Sequence, residues 1–109
     1  MTTNSPRVNS GRLSDYVNRT VRLTGKVLRF NEASDEVVLQ ASDKGEVKVI
    51  LLPGEKGVID TAYVEIIGVV QNQSTIKAQA CINLGPSLDL ELVNFVVEKW
   101  HDPRFSSMF

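Results

Sequence analysis

The side chains that most often carry enzyme chemistry are scarce in this sequence, which has one histidine, His101, and one cysteine, Cys81. A metal site built from His and Cys needs several ligands at short spacing, and these two lie 20 residues apart. Asp102 follows His101, but no nucleophile motif accompanies the pair. The loop over residues 53–57 contains Gly and Lys without the spacing that cradles a phosphate. The sequence therefore predicts no enzyme, no metal site and no cofactor.

The composition is typical of one globular domain. The chain has 109 residues, of which 42% are apolar and 23% are charged. No run approaches the roughly 18 apolar residues that cross a bilayer, and residues 1–6 lack the apolar core of a signal peptide. One cysteine cannot form an internal disulfide, which suits a reducing compartment. We expect a nuclear or cytosolic protein without a membrane partner.

The net charge of −1 gives no overall basic excess. Proteins that bind nucleic acid alone usually carry such an excess, because phosphate contacts dominate their affinity. Residues 1–31 are nevertheless basic, with six Lys or Arg and one acid. Four of these bases are candidates for a weak nucleic-acid contact, with a solvated face or a partner contact as the alternative: Arg19, Arg22, Lys26 and Arg29.

Alternating apolar and polar residues predict five strands. In chain order they cover residues 20–31, 35–42, 46–52, 62–72 and 74–84. Gly25 lies inside the first predicted strand and suggests a bulge or a sharp bend, and Gly68 is a second glycine in the middle of a strand. In the fifth strand the alternation predicts Ile76, Ala78, Ala80 and Ile82 as inward residues. Five strands on this scale favour an all-β OB-fold, a five-stranded Greek-key barrel, although the pattern alone leaves another small five-stranded barrel open.

Two helices are expected beside the barrel. Ser10 is predicted to cap a short N-terminal helix at about 11–17, and Ser87 to cap a C-terminal helix that Pro103 ends. The chain then divides into an arm over 1–9, the barrel over 10–86, the C-terminal helix over 87–102 and a tail over 103–109.

The C-terminal helix has an apolar surface that is too wide for one neighbour. At 100° per residue its apolar positions cover an arc of roughly 220°, whereas a helix lying on one core needs about 100°. One explanation is that the extra side chains tuck under loops. We instead predict association with other subunits, since a wide exposed apolar patch marks an interface. The predicted partner-binding residues are Leu88, Leu92, Val93, Phe95, Val96, Val97 and Trp100.

The second and third predicted strands carry no aromatic residue. OB-folds that hold single strands stack bases on aromatics there, at about 1–3 kcal/mol per base. The outward positions are instead Glu36, Val38, Gln40, Glu46, Lys48 and Ile50. This composition argues against a domain that binds nucleic acid on its own.

Several segments, in order and spacing, resemble the small subunit of replication protein A, the eukaryotic heterotrimer that binds single-stranded DNA. They are Pro6-Arg7-Val8-Asn9 with Leu13, then Val21 and Gly25-Lys26-Val27, the run 64–70, Leu88-Asp89-Leu90-Glu91-Leu92, Asn94, Val97, and His101-Asp102-Pro103 with Phe105.

This resemblance implies an OB-fold whose C-terminal helix joins a three-helix bundle with the middle and large subunits. It also implies a nuclear role in replication, repair and recombination, in which the other subunits hold most of the DNA. Two alternatives stay open at this point. One is a small OB subunit of a telomere-capping complex, and the other is an autonomous OB-fold domain that binds single-stranded DNA or RNA.

Overall fold

The computed structural model describes residues 5–31 and 33–104. Most of the predicted tail, including Phe105, and the first four residues of the predicted arm lie outside the described residues. The elements are β1 (Arg7–Val8), a 3-10 helix (Ser10–Tyr16), β2 (Thr20–Asn31), β3 (Glu36–Ala41), β4 (Glu46–Ile50), a 3-10 turn (Glu55–Gly57), β5 (Tyr63–Asn72), β6 (Thr75–Gly85) and α1 (Leu90–His101). The five predicted strands are confirmed as β2 to β6.

Five of the strands close into a ring. The sheet order is β1-β2-β3-β4-β6-β5, and β2 also pairs with β5. Strand β2 serves both halves of the ring: its residues 20–26 pair with β5 and its residues 25–31 with β3. A short parallel pairing of β4 with β6 completes the closure. The structure is therefore a mostly β, OB-like sheet with one C-terminal helix.

The core fills the inside of this ring with side chains from alternate positions of the strands, as period 2 requires. Leu13 of the 3-10 helix covers one end and is fully buried. The fully buried strand residues include Val21, Leu23, Val37, Leu39, Val47, Val49, Val64, Ile66, Val70 and Ile76. The ring is thus a packed core rather than a cavity.

The two mid-strand glycines lie where strands approach closely. A Cβ on Gly25 would lie 2.8 Å from the carbonyl oxygen of Gln40, and one on Gly68 would lie 2.9 Å from Cγ2 of Ile76. A bulge is present between Ile67 and Gly68. The bulge in β2 falls between Val27 and Arg29 rather than at Gly25. Gly25 is needed because the backbone of β3 approaches it too closely for a side chain.

The inward pattern predicted for the end of β6 is wrong. Ile67 pairs with Ala80 while Gly68 pairs with Ala78, so Gln79 is an extra residue that shifts the alternation by one. Ile82 is consequently 41% exposed, and Cys81 packs against the core instead. Burial raises the pKa of the Cys81 thiol to about 11, with a smaller contribution from Glu55.

The end of the predicted arm is a strand. Arg7 and Val8 pair in parallel with Arg22 and Leu23 of β2, and Val8 is buried. This strand was not predicted, because two residues are too few to show an alternation.

The predicted caps of both helices are wrong. The first helix is a 3-10 helix in which Ser10 is the first residue, and its hydroxyl donates to Asp43. Helix α1 begins at Leu90 and its cap is Asp89, which accepts a hydrogen bond from the backbone N–H of Leu92 at 3.1 Å. Leu88 therefore lies in the segment that leads into α1. No helix in the described part of the chain is long and apolar enough to cross a membrane.

Candidate subunit interface

Helix α1 meets the ring through its polar side. The amide nitrogen of Asn9 donates to Asn94 Oδ1 at 2.9 Å and to Glu98 Oε2 at 2.7 Å. The hydroxyl of Ser42 donates to the same Asn94 oxygen at 3.0 Å. Asn9 is 3% exposed, so these hydrogen bonds lie at a largely dry contact.

The contact continues along the same side of the helix. Arg12 donates to both carboxylate oxygens of Glu98, at 2.6 Å and 3.1 Å. The hydrogen bonds from Arg12 lower the pKa of Glu98, with a further contribution from Asn9 against the opposing effect of burial. One turn later, His101 Nε2 lies 2.8 Å from the backbone carbonyl oxygen of Arg7. Because a carbonyl only accepts, Nε2 carries the proton, and Nδ1 faces the Tyr16 hydroxyl at 3.4 Å. We call Asn94, Glu98 and His101 the polar face of α1.

The apolar side of α1 points away from the ring. Leu92 is 59% exposed and Phe95 is 58% exposed. Full burial of a Leu or Phe side chain contributes about 1.5–3 kcal/mol of free energy. A partner that covered this face would therefore be bound favourably. Val97 differs from the other predicted partner-binding residues, because it is 2% exposed within this chain alone and lies on the side of the polar face. We therefore leave Val97 out of the candidate interface.

The apolar face of α1 continues into a groove between the helix and the outer surface of the ring. The groove has a volume of about 320 Å³. Its residues are Arg7, Thr24, Glu65, Leu84, Leu88, Leu92, Val93 and Val96. The structure thus places Leu88, Leu92, Val93 and Val96 together, as four of the seven residues predicted for partner binding.

Trp100 and Phe95 flank this surface. The Trp100 ring packs edge-on against His101 with 4.8 Å between the ring centroids. The ammonium group of Lys99 lies 5.2 Å from the centre of the Phe95 ring. Each aromatic ring has a neighbour on the helix, and part of its surface stays accessible.

Most of the predicted nucleic-acid contact residues already have partners in this chain. Arg22 pairs with Glu65 at 3.4 Å and Arg29 with Glu46 at 3.2 Å. The guanidinium of Arg19 lies 4.9 Å from the centre of the Tyr16 ring. Lys26 is exposed and lines a shallow polar cleft that also contains Lys44, Asp89 and Glu91. The two acids balance the two lysines, so the cleft has no net positive charge to attract a phosphate.

The outer surface of β3 and β4 carries no aromatic side chain within the described residues. Phe30 on the neighbouring strand packs against the core. The described part of the chain also holds no group of three His, Cys, Asp or Glu residues that would bind a metal ion.

The residues that orient the helix were not predicted from the sequence: Asn9, Arg12, Ser42, Asn94 and Glu98. The width of the apolar arc indicated a partner, but it did not predict which face meets the ring. The available signal was Asn94 and Glu98, which stand four residues apart and share one side of an otherwise apolar helix.

A ring of five strands with an uncovered apolar helix defines the class: an OB-like domain that assembles with other chains. The Replication factor A protein 3 family model matches residues 1–106. One of the replication protein A 14 kDa subunits of Arabidopsis thaliana is 31% identical over 96 residues, which cover 86% of each chain.

A chain in the structure of Ustilago maydis replication protein A bound to ssDNA superposes with a TM-score of 0.82 at 29% identity, over 95% of this chain and 96% of that one. A chain in the Schizosaccharomyces pombe Stn1–Ten1 complex superposes with a TM-score of 0.70 at 11% identity, over 93% and 95%. The second likeness shows the fold alone.

The chain belongs to the Replication factor A protein 3 family, the OB-fold small subunits of replication protein A. The resemblance stated from the sequence is confirmed. Membership of this non-enzymatic family also confirms the prediction that the chain is not an enzyme. The likeness to the Stn1–Ten1 chain, at 11% identity, carries no function over to this chain.

Proposed function

We propose that this chain is the small structural subunit of a replication protein A heterotrimer, and that α1 joins it to the middle and large subunits in a three-helix bundle. The five-stranded ring is then an OB-fold barrel that serves mainly as a support. The chain works in the nucleus, in DNA replication, repair and recombination.

The observation that carries this proposal is the orientation of α1. Its polar face forms hydrogen bonds with Asn9, Arg12 and Ser42. The opposite side of the helix therefore points to solvent, and Leu92 and Phe95 are exposed. A helix that served only to cover its own ring would turn these side chains inward, because burying apolar area is the main driving force of packing. The arrangement presents a ready apolar face to two further helices.

The role in DNA binding follows from what the ring lacks. The outer surface of β3 and β4 offers no stacking aromatic, and Arg22 and Arg29 are paired with acids. We propose that the complex holds single-stranded DNA mainly through its other subunits.

Substitution on the apolar face tests the proposal. We expect Leu92→Asp to abolish co-purification with the cognate middle and large subunits, because assembly would bury an unpaired carboxylate. Val96→Asp is expected to do the same. The measurement is the yield of each variant in the complex after co-expression.

Leu52→Asp is the matched control, because Leu52 is also exposed but lies in the loop after β4. This variant should assemble normally. Normal assembly of both helix variants would contradict the proposed three-helix bundle.

A further inference from the structure

The groove beside α1 is mostly apolar, but it has charged side chains where it borders the ring. Glu65 lies there with its side chain 11% exposed. Its two oxygens face Arg22 Nη1 at 3.4 Å and Arg7 Nε at 3.8 Å. Two arginines thus share one carboxylate, which leaves one positive charge in excess.

The excess positive charge is accessible to solvent at Arg7. Its side chain is 48% exposed, and 3.8 Å is too long for a hydrogen bond to Glu65. Within the described residues no hydrogen bond of the Arg7 guanidinium is seen. The backbone of Arg7 is fixed, because it pairs with β2 and its carbonyl accepts from His101. The fixed backbone therefore positions the Arg7 guanidinium, which has five N–H donors, at the groove.

We propose that Arg7 is a specificity-determining residue of the subunit interface, and that the groove takes an amphipathic helix of a partner subunit whose apolar face carries one Asp or Glu for Arg7. This inference rests on the proposed function and names the chemistry of the partner at the same surface. Arg7 then forms a two-point hydrogen-bonded ion pair with the partner carboxylate.

The walls of the groove favour a protein segment over nucleic acid. Leu84, Leu88 and Leu92 are branched aliphatic side chains, which pack against an apolar helix but give a base no flat ring for stacking. The partner's helix would also cover Arg7 as it enters. A helix without an acid would remove water from Arg7 and leave it only the carboxylate that it shares with Arg22, so such a helix would bind less tightly.

Three substitutions with different expected effects on subunit affinity test the proposal. Each variant is co-expressed with the cognate middle and large subunits, and dissociation of the small subunit from the purified complex is measured at low and high salt. Arg7→Gln should weaken binding about tenfold at low salt and less at high salt, because screening weakens the ion pair. Glu65→Gln should leave binding equal or tighter, because Arg7 and Arg22 no longer share their charge with it. Arg7→Lys, which keeps the charge without the planar fork, should fall between Arg7→Gln and the natural chain.

Arg29→Gln is the matched control, because Arg29 is also an exposed, ion-paired arginine but lies outside the groove. It should bind like the natural chain. Equal thermal unfolding of the isolated variants shows that the effects belong to the interface.

Three outcomes would overturn the proposal. Weaker binding by Glu65→Gln with unchanged binding by Arg7→Gln would mean that the partner brings a donor. A loss of single-stranded-DNA affinity by the assembled Arg7→Gln complex, without a loss of subunit affinity, would mean that Arg7 meets a phosphate. Unchanged binding by Arg7→Gln while Leu92→Asp still blocks assembly would refute the role of Arg7 and leave the bundle intact.

Discussion

Single side chains from loops and turns decide how the interface is built. Asp43, in the turn between β3 and β4, accepts hydrogen bonds from the backbone N–H of Gly11 at 2.9 Å and from the Ser10 hydroxyl at 2.8 Å. It fixes the first turn of the 3-10 helix, which carries Arg12 toward Glu98. Burial acts to raise the pKa of Asp43, but the hydrogen bonds from Gly11, Ser10 and Gly45 outweigh it and lower the pKa.

The lowered pKa of Asp43 predicts a pH dependence of stability. A carboxyl group whose pKa is lower in the folded state stabilises the fold above its unfolded pKa of about 4, and that contribution is lost as the pH falls through the folded value. We expect Asp43→Asn to reduce the free energy of unfolding at neutral pH. The difference from the natural chain should shrink below about pH 4.

Urea unfolding at a series of pH values measures this difference. A loss of stability in Asp43→Asn that is constant down to acid pH would show that the carboxylate charge contributes nothing.

At the scale of the elements, the strands were predictable and the docking of the helix was not. Each long strand has a regular alternation, so its position follows from period 2. The inward residues at the end of β6 were missed because Gln79 is an extra residue, and nothing in the sequence beside Gln79 marks a bulge. The docking of α1 was missed because hydrogen bonds such as Asn9 to Asn94 join residues 85 positions apart.

The polar face predicts how α1 is held in the isolated subunit. Glu98→Ala removes the partner of Arg12 and one acceptor of Asn9, so α1 should detach from the ring more often. We expect faster amide hydrogen exchange over residues 93–101, with exchange in β2 and β5 unchanged.

Glu91→Ala is the matched control, because Glu91 is an exposed acid on the same helix, and no hydrogen bond or ion pair of its side chain is seen within the described residues. It should exchange like the natural chain. Equal exchange in Glu98→Ala would mean that the polar contacts do not hold the helix.

At the scale of the whole molecule, the chain is a rigid ring that presents one helix. The fold class and the need for a partner were predictable from residues 20–84 and from the width of the apolar arc. The position of the groove needed the structure, because the groove combines Arg7 and Glu65 with helix residues that are distant in sequence.

The supporting role predicts that the basic residues of β2 matter little for DNA. We expect Lys26→Glu to leave the affinity of the assembled complex for single-stranded DNA nearly unchanged. The slope of log affinity against log salt should also be unchanged, whereas loss of one phosphate contact lowers it by about one unit. A clear fall in the slope would show that Lys26 contacts a phosphate in the assembly.

Completion of the apolar face of α1 by other subunits is tested most directly by the mass of the chain in solution. Light scattering would be recorded for the chain alone and for the chain co-expressed with the OB domain and C-terminal helix of the middle subunit. We predict aggregation or self-association of the lone chain and a stable one-to-one complex with the partner. A well-behaved monomer that ignores the middle subunit would contradict the proposed role of α1.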